Sequence, residues 1–310
     1  MKVLISSRSF GTTDSGAIEL LKERGITPIL NPYGKKLSEK EIINLMQDSI
    51  GIIAGTEVIS EKIINQSTNL KVISRYGIGL DNVDLKAAEQ KNILVYNTPE
   101  TPKIAVAELT FSLILSLLKK IVNINGNLKK GIWKPEIGNL LNGKTVGIIG
   151  LGRIGKQLVK FLSVFDVKII AYEINPDINF VSDYDIELTS FEELIIDSDI
   201  ISIHAPLTND TKYLIGEKEF KKMKHTAVIV NTARGGLINE EDLYNALKNN
   251  IISGAAIDVF ENEPDTGKLK EVENIILTPH VGTYTIETRK KMEIEAAENL
   301  LNGLKKVNIL

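Results

Sequence analysis

Short apolar runs rich in β-branched residues alternate with helical patterns from one end of the chain to the other. In the first hundred residues the candidate strands are Val3–Ser6, Ile50–Ala54, Lys71–Ser74 and Ile93–Tyr96. Helical stretches separate them: one from near Asp14 to just before Gly25, one opening at Ser38 and one over Asp84–Gln90. Ser38 and Glu41 have the spacing of a capping box. A second series begins at Thr145, with strands predicted at Thr145–Ile149, Lys168–Tyr172, Asp199–Ile203, Thr226–Val230, Ser253–Ile257 and Ile275–Leu277. Strand and helix in turn dispose a chain to parallel sheets covered by helices on both faces.

Between the two series stands Thr98-Pro99-Glu100-Thr101-Pro102. Thr101 suits a helix cap and Pro102 a first turn. The helix predicted there runs to about Lys120, with Ala105, Leu109, Leu113 and Leu117 on one stripe, and is placed to connect two domains. The last strong helix, Thr285–Leu301, is expected to pack back on the first series. The expected fold is therefore α/β, with two Rossmann-like or flavodoxin-like domains. One comprises residues 1–99 with 284–310 and binds substrate. The other, 100–283, is inserted in it and binds cofactor. A length of 310 residues and 43% hydrophobic residues suffice for two cores.

Several function classes are disfavoured. The net charge of −3, without a basic block, gives no support to nucleic-acid binding. No apolar run approaches the roughly 18 residues of a membrane span. The N-terminal segment MKVLISSRSF turns polar too soon for a signal peptide and is expected to be a strand, which points to the cytoplasm. With no cysteine, thiolate metal sites, disulfides and cysteine nucleophiles are ruled out, and no metal is expected. Only His204, His225 and His280 can supply an imidazole.

Gly150-Leu151-Gly152-Arg153-Ile154-Gly155 has the form G-x-G-x-x-G and stands between a predicted strand and a predicted helix, Lys156–Leu162. Gly150 permits a tight turn, Gly152 a close approach of backbone to pyrophosphate, and Gly155 close packing of helix on strand. The helix N-terminus then offers N–H groups to phosphate. The next strand ends at Glu173, 23 positions after Gly150, close to the ~20 expected for the acid that grips the adenosine ribose. A carboxylate there repels a 2′-phosphate, and no basic residue follows within Ile174–Tyr184. The expected cofactor is NAD.

Three later segments, each after a predicted strand, carry function-capable residues: Asn231–Gly236, Asp258–Pro264 and Thr278–Gly282. Open α/β sheets bind ligands at those strand ends. Reduction of a 2-oxo acid requires its carboxylate anchored, its ketone polarised and a proton delivered. Arg234 suits the first two tasks through its permanent charge and fork. His280 suits the third, with a carboxylate beside it to hold the ring. Glu263 fills that place, although Glu261 stands two residues away.

The strings GIIGLGRIG, HAPLTNDT, VIVNTARGGLINEEDL, AAIDVFENEP and TPHVG, with SRYGIGLDNVD and NTPETPKIAVAEL in the first half, resemble the D-isomer-specific 2-hydroxyacid dehydrogenases over nearly the whole chain. Within the family the likeness is to the short phosphoglycerate-oxidising branch. The resemblance implies that Arg234 orients substrate and that His280 is the proton donor or acceptor paired with Glu263, the acid directly before proline. It implies that Arg153 and Ile154 contact the pyrophosphate and Glu173 the ribose. Ala205, Thr232, Ala233 and Asp258 would line the nicotinamide side with Gly282 beside it, and Ile78 would touch the cofactor. The loop Arg75–Gly79 would hold the substrate carboxylate on backbone N–H groups, with Gly77 and Gly79 allowing close approach. The family commonly dimerises through the cofactor domain, so a homodimer is expected.

The expected substrate pair is 3-phosphoglycerate and 3-phosphohydroxypyruvate, the first step of serine biosynthesis, with Arg75 as the best group for a phosphate and Arg8 a second basic residue. One departure stands against it: Ala54-Gly55 occupies the place where many phosphoglycerate enzymes carry arginine. The alternatives are a glyoxylate, hydroxypyruvate or other 2-oxo acid reductase and, in another class, an NAD(H)-responsive binding protein like the C-terminal-binding-protein corepressors. Ending at Leu310, the chain is expected to lack the regulatory domain of longer relatives. His204 is assigned equally to the cofactor cleft or to structure, His225 to a solvated surface, Trp133 to a core or a subunit interface, and Asp81–Asp84 to a helix cap.

Overall fold

The computed structural model describes residues 1–310. They form two compact units, Met1–Pro102 with Thr283–Leu310, and Lys103–Gly282. The first contains β1 (Lys2–Ile5), α1 (Gly16–Glu23), β2 (Thr27–Leu30), α2 (Glu39–Met46), β3 (Ser49–Ala54), α3 (Glu61–Gln66), β4 (Val72–Arg75), α4 (Leu85–Gln90) and β5 (Leu94–Tyr96). Its strands are all parallel, in the order β2-β1-β3-β4-β5. The winding reverses between β1 and β3, which opens a crevice at the carboxyl ends of those strands.

Both faces of this sheet are covered, as the near-continuous apolar strands require. Val3 and Ile5 point to one side, among Ala17, Leu21, Ala296 and Leu300, while Leu4 points to the other, among Ile42, Ile63 and Ile64. Ser38 caps α2 in the capping box its spacing predicts. Asp84 caps α4 by accepting from Ala87 N at 2.9 Å, an arrangement worth about 1 kcal/mol.

The second unit is built from α5 (Pro102–Leu118), whose first residue still belongs to the first unit, α6 (Ile121–Lys129), β6 (Thr145–Ile149), α7 (Arg153–Leu162), β7 (Lys168–Tyr172), α8 (Ile178–Asp183), β8 (Glu187–Leu188), α9 (Phe191–Asp197), β9 (Ile200–Ile203), α10 (Glu217–Lys222), β10 (Val228–Asn231), α11 (Glu240–Lys248), β11 (Gly254–Ile257) and β12 (Ile275–Leu277). Its seven parallel strands run β12-β11-β10-β9-β6-β7-β8, with the reversal between β6 and β9. Val146 and Ile148 pack beside Ile114, Leu158 and Leu162, while Ile149, Ile201 and Ile203 pack on the opposite face with Leu194 and Leu243.

The chain then returns to the first unit as α12 (Ile286–Lys306). The helix lies on β3 and β4: a side chain at Gly51 would strike Leu300, one at Gly303 would strike Val72, and Ser74 Oγ donates to Ala296 O at 2.7 Å. It extends beyond the predicted end at Leu301.

Two other expectations differ from the structure. The helix expected to reach Lys120 stops at Leu118, and Lys120 takes a left-handed conformation (φ 54°) before α6 begins. Trp133, assigned to a core or an interface, is not in a core: it is 87% exposed in the irregular stretch after α6, near the exposed Ile137 and Leu140. No helix is long and apolar enough to cross a membrane.

Candidate active site

In the second unit the chain leaves β6 through the glycine turn. Gly150 has φ +97°, and a Cβ there would stand 2.8 Å from the carbonyl oxygen of His204, which directly follows β9. The turn is thus wedged against the neighbouring strand end at the topological reversal. A Cβ on Gly155 would stand 2.1 Å from Gly150 O, so α7 approaches the turn too closely for any side chain. Gly152 differs. It is the N-cap of α7 with negative φ, and a Cβ there would meet nothing within 4 Å. Protein packing does not require glycine at this position, whereas a ligand close to the backbone would.

Arg153 and Ile154 form the first turn of α7, with Arg153 exposed. The N–H groups of Gly152 and Ile154 donate to no protein acceptor. Free N–H groups at the head of a ten-residue helix, an open glycine and an acid at the next strand end fit a dinucleotide pyrophosphate. Glu173, just beyond β7, accepts from Leu151 N at 2.7 Å and from Asn175 N at 3.0 Å. The acid expected at the ribose therefore faces the glycine turn.

Ala205 follows His204 beside Gly150. His204 itself has Nε2 2.8 Å from Ser202 Oγ, and its buried Nδ1 has no partner. Burial lowers its pKa from 6.5 to about 4, so the ring is neutral. His225 is exposed, with Nδ1 3.1 Å from Ile251 O.

The segments carrying Arg234, Glu263 and His280 leave the adjacent parallel strands β10, β11 and β12 at the same edge. Asn231, the last residue of β10, turns the first loop by accepting from Ala233 N at 3.0 Å and donating to Arg234 O at 2.8 Å. Thr232 is buried, its hydroxyl 2.7 Å from that of Thr110 on α5. Arg234 is half-buried and donates from Nη1 to Ala233 O at 2.7 Å. A Cβ on Gly235 would stand 2.0 Å from Phe260 O, so the arginine loop and the glutamate loop touch backbone to backbone.

Asp258, buried at the end of β11, accepts from Thr278 Oγ1 at 2.6 Å, Val281 N at 2.8 Å and Gly282 N at 3.0 Å. Burial raises its pKa, and these hydrogen bonds oppose the rise. The carboxylate clamps the loop that carries His280. The histidine backbone is left-handed (φ 53°), with its N–H donating to Asp258 O at 2.8 Å. A non-glycine residue in that region costs about 1 kcal/mol and persists where surrounding contacts impose it. The result is a carboxylate–imidazole couple: Glu263 Oε1 and Oε2 lie 2.8 and 2.9 Å from His280 Nδ1. A carboxylate acceptor at Nδ1 requires the proton there and leaves Nε2 as the working nitrogen. Glu261 takes no part, since it accepts from Tyr213 Oη and Glu240 N instead.

Arg75, Gly77 and Ile78 belong to the first unit. Arg75, expected to meet a phosphate, is 8% exposed; Nε donates to Asn82 Oδ1 at 3.2 Å and Nη1 to the carbonyls of Ala54 and Tyr76. The guanidinium braces strand ends, because burial requires its donors to find acceptors within the protein. Gly77 (φ 146°), in the loop expected to hold the substrate carboxylate, donates its N–H to Thr98 Oγ1 at 2.9 Å. The N–H groups of Ile78 and Gly79 have no protein acceptor, so any backbone anion site lies one residue further along. Sequence reasoning gave no individual role to Asn231, Thr98 or Asn82, although Asn231 stood in a segment it singled out; the signal available was a polar residue ending or following a buried strand.

The model of the D-isomer specific 2-hydroxyacid dehydrogenase NAD-binding domain matches residues 111–282. A glyoxylate reductase of Thermofilum pendens is 41% identical over 279 residues, covering 86% of this chain and 82% of its own. A D-3-phosphoglycerate dehydrogenase of Methanocaldococcus jannaschii is 39% identical over 93% of this chain, which spans 55% of that protein's length. The crystal structure of a glyoxylate reductase from Paecilomyes thermophila superposes with a TM-score of 0.88 at 29% identity, covering 99% of this chain and 96% of the other.

Proposed function

The chain belongs to the D-isomer-specific 2-hydroxyacid dehydrogenases, and we propose that it interconverts a short, unphosphorylated 2-oxo acid, of glyoxylate or hydroxypyruvate size, and the D-2-hydroxy acid. The observation carrying the reading is the Glu263 carboxylate set on Nδ1 of His280. NAD, when bound, supplies or receives a hydride at C4 of its nicotinamide. Arg234 pairs with the substrate carboxylate and polarises the C2 carbonyl. His280 delivers a proton from Nε2 to the oxygen at C2 as negative charge develops there, and Glu263 stabilises the charged imidazole and fixes its tautomer. In oxidation the same nitrogen takes the proton back. Asp258, Asn231 and Gly235 keep the three loops in register. Gly152, Arg153, Ile154 and Glu173 hold the dinucleotide.

Two observations favour an unphosphorylated substrate: the guanidinium of Arg75 is buried and engaged, and Ala54-Gly55 brings no charge. The second reading, oxidation of 3-phosphoglycerate, is supported by the relatives that bear that name and by the exposed Arg8 just after β1. Exposed Trp133, Ile137 and Leu140 support pairing with a second copy, which sedentimentation equilibrium tests.

The test is purified protein with NADH and glyoxylate, hydroxypyruvate, pyruvate and 3-phosphohydroxypyruvate. Turnover of an unphosphorylated acid is expected. Protein that binds NADH and reduces none of the four contradicts the reading; turnover of the phosphorylated acid alone establishes the second.

A further inference from the structure

Two acids of the second unit stand outside the carboxylate–imidazole couple and face each other across two loops. Glu240 is the first residue of α11, and Glu261 lies two residues before Glu263. Each accepts the other's backbone N–H: Glu261 N donates to Glu240 Oε1 at 2.7 Å, and Glu240 N donates to Glu261 Oε1 at 3.2 Å. The first N–H groups of a helix have no acceptor within it. The Glu261 carboxylate therefore fastens its own loop to the head of α11, where the helix dipole favours negative charge. Burial raises the pKa of Glu240, the Glu261 N–H opposes the rise, and the charges of Glu261, Asp265 and Glu263 add to it. The acids are close enough to repel, and the two backbone donors hold them together against that repulsion.

Tyr213 closes the arrangement. Its phenol donates to Glu261 Oε2 at 2.8 Å, so both carboxylate oxygens of Glu261 are engaged. Its backbone is left-handed (φ 54°), and its N–H donates to Gly236 O at 2.7 Å, in the loop that carries Arg234. Two residues on, Ile215 N donates to Leu237 O at 3.1 Å and Ile215 O accepts from Asn239 N at 2.9 Å, which fixes this segment beside the approach to α11. On the other side of Glu261, Phe260 O lies against Gly235, and Phe260 N donates to Glu263 Oε1 at 3.3 Å. That oxygen is one of the two on His280 Nδ1. A connected path thus leads from α11 and Tyr213 through Glu261 and Phe260 to the oxygen that holds the imidazole, and all of it lies within the second unit.

We propose that Glu261 is a positioning residue: clamped between the head of α11 and Tyr213, it holds the loop that presents Glu263 to His280, and it acts on proton transfer through Glu263 without touching substrate. Misplacement of a catalytic group by about 1 Å can cost on the order of 10²-fold in rate, so a loosened loop is felt in kcat before it is felt in binding. The proposal rests on the 2-oxo acid reading above.

The test measures kcat and KM for hydroxypyruvate with NADH, and the NADH Kd by fluorescence titration, in the full chain and in Glu261→Ala, Glu261→Gln and Tyr213→Phe. Glu261→Ala and Tyr213→Phe are also made with Glu263→Gln. Rates are expressed per NADH-binding site, so unfolded protein does not count. Glu261→Ala is expected to lower kcat about tenfold, with KM and the NADH Kd within about twofold of the parent. Glu261→Gln restores kcat to within about threefold, because its amide keeps an oxygen for Glu240 N and turns an N–H to the phenol oxygen. Tyr213→Phe, the milder change, lowers kcat about threefold. With Glu263→Gln already present, Glu261→Ala and Tyr213→Phe each cost less than about twofold further, since nothing remains for the clamp to position. An unchanged kcat in both Glu261→Ala and Tyr213→Phe, or losses that multiply with that of Glu263→Gln, overturn the role of Glu261 and leave the reductase reading intact. A parent that binds NADH and reduces no 2-oxo acid overturns both.

Discussion

Glu263 meets His280 with both carboxylate oxygens on one nitrogen, at 2.8 and 2.9 Å. Such a couple works as a unit. Glu263→Gln is expected to lower kcat about 10²-fold and His280→Gln about 10³-fold or more. The double variant should be within about threefold of His280→Gln alone, because removing the acid first leaves little for the glutamate to support. Steady-state rates of the three variants check this; losses that multiply would mean that the two act independently.

Glycines 235 and 152 should respond oppositely to alanine. At Gly235 a Cβ would stand 2.0 Å from Phe260 O, backbone that cannot step aside. Gly235→Ala should cost about 2 kcal/mol and lower the melting temperature. Gly152→Ala meets no protein atom within 4 Å, so stability should hold within about 0.5 kcal/mol while NADH binding weakens. Thermal melts and NADH titrations of both variants separate the two roles.

The alternation of patterns made the parallel sheets legible, because strands buried on both faces read as continuous β-branched runs. It did not reveal β2 or β8. β2 is an edge strand with Pro28 in it, tolerated only because an edge needs no complete ladder; β8 has two exposed residues. The glycine turn and the Arg234, Glu263 and His280 loops were readable because each stands at a strand end with a distinctive residue. The partners that Arg75 and Gly77 find within the protein were not legible, for a physical reason. Sequence shows that a donor is present, but not whether the fold has already given it an acceptor, here Asn82 and Thr98.

Burial holds the His204 pKa at about 4, below its usual 6.5. Between those values the unfolded chain binds a proton that the folded chain does not. The stability this neutral ring permits is complete above pH 6.5 and is lost as pH falls through 6.5 towards 4, by at most roughly 3 kcal/mol. The melting temperature of His204→Gln should therefore fall less than the parent's between about pH 7 and about pH 5. Parallel curves would mean that the ring does not titrate with folding.

Glu173 faces the glycine turn, within 2.7 Å of Leu151 N. A 2′-phosphate at the adenosine ribose would meet its charge. Glu173→Ser should lower the ratio of kcat/KM for NADH over NADPH about tenfold or more. An unchanged ratio would place the discrimination elsewhere.

The central claim is that a hydride passes between nicotinamide C4 and the C2 carbon of a 2-oxo acid while His280 handles the proton. Mass spectrometry of the product formed from hydroxypyruvate and NADH deuterated at C4 reads it directly. A D-2-hydroxy acid with deuterium at C2 is expected, formed about 10³-fold more slowly by His280→Gln. NADH-bound protein that forms no labelled 2-hydroxy acid, or a His280→Gln variant as fast as the parent, would contradict it.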